Sequence, residues 1–162
     1  MRIERTFDEQ VVKSVMLHPA IWATVAEETQ DPEKWEPEME ADCWLQIVNG
    51  GELIGLYNIH AHNSVTLEIH AQVLPEYRSE YAKESSRQVL QWILDSEDAA
   101  GYEKVIAQIP TLYPQVKHFT LNAGFQEEGL NRLSYRKDGK LYDQWMLGIT
   151  RPEIVAFLGG AN

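Results

Sequence analysis

Behind Asp8, apolar side chains fall at Val11, Val12, Val15 and Met16. That spacing marks one face of a helix, with Asp8 as its N-cap. A short strand, Arg2–Phe7, precedes it. The His18-Pro19 step interrupts the helix, and a second is predicted from Ile21 to Glu28. Gln30 to Ala41 is rich in acids and proline and reads as an exposed loop, with Trp35 either anchoring it or facing a partner. A β-rich block follows from Cys43. Cys43–Val48 and Glu52–His60 flank Asn49-Gly50-Gly51, a strong hairpin signal. Ser64–Val73 is a third strand, joined by a tight His62-Asn63 connection and ended by Pro75.

Helical spacing resumes over Glu80–Glu97, with Val89, Leu90, Ile93 and Leu94 on the buried stripe. Lys104–Ile109 is an apolar strand closed by Pro110. A helix over Gln115–Asn122 ends at Ala123-Gly124, where Gly124 suits the residue past a helix end. Glu127–Arg136 and Leu141–Ile149 are strands about Asp138-Gly139, and Arg151–Leu158 forms a terminal helix with Pro152 in its first turn. This order is an α+β layer structure, and residues 65–109 form a right-handed parallel crossover. Trp22, Trp44, Trp92 and Trp145 are expected in the core by default, with Trp35 and Trp145 the better interface candidates of the five.

Composition narrows the classes. At 162 residues and 44% hydrophobic content, the chain suits a single domain spanning 1–162. A net charge of −11, spread along the chain, argues against nucleic-acid binding and against adsorption to anionic membranes. The single cysteine, Cys43, excludes an intramolecular disulfide and a cysteine-rich zinc site. The N-terminus is too polar for a signal peptide, and no apolar run is long enough to span a bilayer. These features lead to the expectation of a soluble cytoplasmic protein.

Two stretches carry candidate chemistry. Thr66, Glu68 and His70 share one face of their strand at two-residue spacing. Glu68 is the candidate general base; the favoured alternative is a non-catalytic one, in which Glu68 and His70 form a hydrogen-bonded polar cluster or simply face solvent. His60, His62 and His70 lack ligand-spaced signatures, and no metal is expected. The second stretch, "VLPEYRSEYAKESSRQVLQW" over 73–92, has the form of a strand turning into a helix, a place where proteins cradle phosphate. It holds no glycine, and none occurs between Gly55 and Gly101.

The element order, with "VTLEIHAQVLPEYR" (65–78), "GYEKVIAQIP" (101–110), "NAGFQEEGLNR" (122–132) and "DGKLYDQWMLGITR" (138–151), resembles the GNAT (Gcn5-related N-acetyltransferase) superfamily. The resemblance runs from about Cys43 to Arg151. It implies the acyl-CoA N-acyltransferase fold: a central, mostly antiparallel twisted sheet with a V-shaped splay, flanked by helices. More narrowly, "LHPAIW", "EIHAQVLP" and "YDQWMLGITR" resemble phage-encoded GNAT-like proteins, some of them head- or virion-assembly proteins.

The resemblance implies acetyl-CoA as cofactor, held after the central strand by a loop of the form Arg/Gln-x-x-Gly-x-Gly/Ala. Here Val73, Leu74, Arg78, Ser79, Tyr81, Ala82 and Lys83 occupy that loop. With Arg78 in first place, the glycine positions fall on Tyr81 and Lys83. Restricted φ, added Cβ bulk and the carboxylates of Glu76, Glu80 and Glu84 lead to the expectation of impaired CoA binding. The family's general-acid tyrosine falls on Thr120, leaving Tyr113 or Tyr135, and also Tyr142, as substitutes. The expectation is a binding role with a protein partner in phage head or virion assembly, in a bacterial host cytoplasm, compatible with a homodimer. The alternative is an active acetyl-CoA-dependent N-acetyltransferase acting on an N-terminus, a lysine or a polyamine.

Overall fold

The computed structural model describes residues 1–160. Among them the order is β1 (Arg2–Arg5), α1 (Glu9–Met16), α2 (Pro19–Val25), β2 (Cys43–Asn49), β3 (Glu52–Ala61), β4 (Thr66–Val73), α3 (Arg78–Asp95), β5 (Lys104–Pro110), α4 (Pro114–Asn122), β6 (Gln126–Lys137), β7 (Lys140–Thr150) and α5 (Arg151–Gly159). The seven strands form one mixed, mostly antiparallel sheet. The chain divides into two compact units: residues 1–60 with 69–89, and residues 61–68 with the chain from 90 onward. Strand β4 contributes to both.

In the first unit, β1, β2 and β3 are antiparallel neighbours, and β4 follows β3. The Asp8 side chain accepts the Gln10 N–H at 2.9 Å and starts α1 as its spacing predicted. Val12, Val15, Met16, Ile21, Trp44 and Leu56 form the core cluster, with Trp35, Met39 and Leu74 packed against it. Trp35 meets Trp22 edge to face at 6.1 Å, so it anchors the acidic loop. Lys13 reaches from α1 to that loop, with Nζ 2.7 Å from Glu36 and 2.9 Å from Glu9. Helix α2 starts at Pro19, earlier than Ile21, because His18 caps it through the Ala20 N–H and proline suits the first turn.

Two glycine sites set this unit's geometry. Gly50 and Gly51, at φ 59° and 84°, make the β2–β3 turn in the left-handed region that side chains avoid. Gly55 lies so close to β4 that a Cβ there would stand 2.3 Å from the Gln72 carbonyl oxygen. Strands β3 and β4 therefore touch backbone to backbone immediately before the chain leaves β4.

In the second unit, β4 pairs parallel with β5 through Thr66↔Lys104, Leu67↔Val105 and Glu68↔Ile106. Strand β7 then pairs antiparallel with β5 and β6 with β7. Arg151 ties the helix ends together, donating to the carbonyls of Ala99 at 2.6 Å, Ile93 at 3.2 Å and Tyr102. Thr150 and Glu153 form a reciprocal capping box that starts α5.

Strand β4 begins at Thr66, not Ser64, because Asn63 Oδ1 accepts the N–H groups of Val65 and Thr66 and holds a turn there. Helix α3 ends at Asp95, where Ser96 starts a separate 3-10 turn over Glu97–Ala99. Among the expected core tryptophans only Trp44 is fully buried; Trp22, Trp92 and Trp145 are half-buried. Their large rings lie at the rim of the core, where part of the surface stays wet. No helix among the described residues is long and apolar enough to cross a membrane.

Candidate functional site

The turn after β4 lies in the first unit. The Leu74 N–H donates to the Ile54 carbonyl at 2.9 Å, which continues the β3–β4 contact past the end of the strand. Pro75–Tyr77 then form one turn of 3-10 helix that runs into α3 at Arg78, two residues earlier than the predicted Glu80. Proline starts this turn readily because its missing N–H needs no partner. The Tyr77 N–H donates to the Leu74 carbonyl at 2.9 Å and the Arg78 N–H to the Pro75 carbonyl.

Side chains close the turn further. Arg78 Nε donates to the Val73 carbonyl at 3.0 Å. The Tyr77 hydroxyl donates to Glu52 at 3.1 Å, and Asn49 Nδ2 donates to the Tyr81 hydroxyl at 3.2 Å. The two tyrosine rings pack at 5.9 Å. The structure thus brings Val73, Leu74, Arg78, Ser79, Tyr81, Ala82 and Lys83 together at one helix start, with Ser79 and Lys83 exposed. Glu52 and Asn49 were read in the sequence only as parts of the hairpin, not as partners of this turn. Their pairing with tyrosines 25 and 32 residues away depends on strand register.

The electrostatics of the turn are negative. The Tyr77 phenol is held above its ordinary pKa, first by its hydrogen bond to Glu52, then by burial and by the charges of Glu52 and Glu76. Burial raises the Tyr81 phenol, with Glu80 adding to the effect. Both phenols resist ionising, Tyr77 chiefly through its bond to Glu52 and Tyr81 chiefly through burial.

Beneath the helix, Tyr57 is fully buried and its hydroxyl lies 3.0 Å from Ser85 Oγ. Ser85 spends its own proton on the Ala82 carbonyl at 2.9 Å, so Tyr57 is the donor. Burial pushes the Tyr57 pKa up to about 12. Gln72, at the end of β4, is 6% exposed, and its Oε1 has no hydrogen-bond partner among the described residues. Also in the first unit, the rings of His60 and His70 stack at 5.4 Å and 16°.

Glu68 lies in the second unit, half-buried on β4 opposite Ile106. Gln108 Nε2 donates to Glu68 Oε1 at 2.7 Å, and Asn131 Nδ2 donates to Gln108 Oε1 at 3.3 Å. A carboxylate is therefore oriented by an amide that is itself oriented by another amide. Neither amide was singled out in the sequence, although a glutamine inside the apolar strand KVIAQIP was a visible signal. Thr120 is buried, and its hydroxyl donates to the Val116 carbonyl at 2.8 Å, a local bond within α4. Tyr113 is the N-cap residue of α4, and Tyr135 stands opposite Tyr142 near the tip of the β6–β7 hairpin.

Likeness to known proteins assigns the family and the fold. The family described as "Protein of unknown function (DUF2824)" matches residues 7–123. The chain belongs to this family. No curated protein matches it in sequence. Among solved structures, it is similar to spermidine N-acetyltransferase from Vibrio cholerae in complex with CoA and spermine. That match has 15% identity and a TM-score of 0.76, covering 94% of this chain and 96% of that one. A point mutant of the same Vibrio cholerae enzyme matches at 14% identity and a TM-score of 0.77, covering 96% and 98%. A chimera of the Vibrio cholerae enzyme and hSSAT matches at 18% identity and a TM-score of 0.64, covering 71% of each chain. This member of the DUF2824 family therefore has the GNAT acetyltransferase fold.

Proposed function

We propose that this protein uses the GNAT fold for binding a protein partner, in the assembly of a phage head or virion, and not for acetyl transfer. The observation that carries this reading is the turn after β4. A diphosphate cradle needs several backbone N–H groups and a cation directed at the anion. Here the N–H groups of Leu74, Tyr77 and Arg78 serve internal carbonyls, and Arg78 Nε serves Val73. Glu52, Glu76 and Glu80 supply negative charge around the same turn. These residues do not fit the diphosphate of CoA. Local likeness to phage-encoded GNAT-like proteins supports the assembly role.

A second reading rests on Glu68. Its carboxylate is oriented as a general base requires, and it would accept the proton of an ammonium substrate and leave the free amine as nucleophile. The acidic chain suits a basic amine. Titration calorimetry of the full chain with acetyl-CoA separates the two readings. No heat of binding at micromolar acetyl-CoA is expected; saturable micromolar binding overturns the first reading. Turnover that disappears in Glu68→Gln would then establish the second.

A further inference from the structure

Outside the turn and the Glu68 amide chain, the paired imidazoles of His60 and His70 serve neither reading of the site. They stand on neighbouring strands, β3 and β4. Both are half-buried, and their rings lie 5.4 Å apart and 16° from parallel. A ring nitrogen of one comes within 4.8 Å of a ring nitrogen of the other. Local spacing in the sequence does not signal the pair, because strand pairing brings the two residues together.

His60 also has a built second shell. Asn58 lies two residues earlier on the same strand and is 6% exposed. Its Nδ2 donates to Asp42 Oδ2 at 3.1 Å, which fixes the amide and assigns Oδ1 to the other side. That Oδ1 lies 3.3 Å from His60 Nδ1 and accepts its N–H. The ring proton is thereby held on Nδ1 and the lone pair on Nε2. Stacked rings alone require neither Asn58 nor Asp42. A metal-ligating histidine, by contrast, characteristically donates its second nitrogen's proton to such an oriented acceptor.

We infer that His60 and His70 chelate a divalent transition-metal cation of the zinc, nickel and copper class. Neutral imidazole suits these ions, whereas hard cations such as magnesium take oxygen ligands. Two zinc–nitrogen bonds of about 2.1 Å each span up to about 4.2 Å. A nitrogen separation within 4.8 Å is thus closed by small side-chain rotations, with neither strand displaced. Water fills the other coordination positions. Asp42, Asn58, His60 and His70 all belong to the first compact unit, so the site is complete within it. This site goes beyond the function proposed above and does not depend on it.

The test is a titration of the full chain, isotope-labelled at histidine nitrogen, with zinc chloride, followed by NMR of the ring nitrogens and by calorimetry. Saturable one-to-one binding is expected, with the ring signals of His60 and His70 shifting together and those of His18, His62 and His118 unmoved. His60→Ala and His70→Ala should each weaken zinc binding by at least about tenfold. His62→Ala, at an exposed position, should leave it unchanged. Asn58→Ala should weaken it by about tenfold with both imidazoles still present, because the acceptor that sets the His60 tautomer is gone. Magnesium chloride should shift none of the histidine signals. Absence of saturable zinc binding by the unsubstituted chain overturns the inference, and that result requires no variant to fold. Zinc binding that shifts other histidines instead, or that keeps full strength without either imidazole, overturns it as well.

Discussion

The turn at Val73–Lys83 and the carboxylate of Glu68 are both set by β4, and they differ in what their polar groups bond. At the turn, the surrounding protein uses the donors: backbone carbonyls take the N–H groups, Val73 takes the arginine, and Glu52 takes a tyrosine hydroxyl. At Glu68 the protein supplies donors to a carboxylate through two amides in series. One region has the bonding of a finished structural joint. The other has the bonding of a carboxylate oriented by amides. The same strand thus supplies one polar group to an amide chain and ends in a turn whose donors are taken up internally.

How rigidly the joint is seated should show most strongly in Gly55→Ala. That change places a Cβ against the Gln72 carbonyl and the Val73 backbone, which cannot yield as a side-chain tip can. A loss of about 3 kcal/mol in urea unfolding is expected from overpacking. A loss under about 1 kcal/mol, the low end for overpacking, would mean that the joint moves freely.

Alkaline unfolding probes the floor under α3. The folded Tyr57 pKa lies above that of the unfolded phenol, so its contribution is fully present below about pH 10. It is lost as pH rises toward 12, where the unfolded state has released a proton that the folded state retains. Stability should fall by roughly 1.4 kcal/mol per pH unit across that window from this group. Tyr57→Phe should remove that part of the slope; equal slopes in both proteins would show that Tyr57 ionises as readily folded as unfolded.

Smaller effects test the same contrast between joint and carboxylate. Gln108→Leu removes the donor that orients Glu68 and should cost about 1–2 kcal/mol in thermal or urea unfolding. An unchanged midpoint would show that the amide chain holds nothing. Arg78→Gln loses the bond to the Val73 carbonyl and should cost about 1 kcal/mol or less, because the site is partly wet. If that variant instead gained stability, the arginine would be strained in its present bond and the joint reading would be wrong.

Periodicity made most of the fold legible. The Asp8 cap, the Asn49-Gly50-Gly51 turn, the proline after β4 and the Asp138-Gly139 turn are local features whose chemistry acts within a few residues. Trp35 was ambiguous in the sequence because either of its two readings needed a partner; Trp22 supplied it. Boundaries moved where a side chain outside the periodic pattern made the decision, as Asn63 did at the start of β4 and His18 at the start of α2. Gln108 and Asn131 were missed because they act on Glu68 across 40 residues and then across 23 more, through strand pairing.

Residue types in a row were enough for the order of strands and helices, the absence of glycines from the turn after β4, and the surplus of acid. What the turn's donors bond, which amides hold Glu68, and that Gly55 lets two strand backbones touch were decided in three dimensions. Those outcomes depend on register and close approach between distant segments, where a shift of one residue would send every side chain to the opposite face.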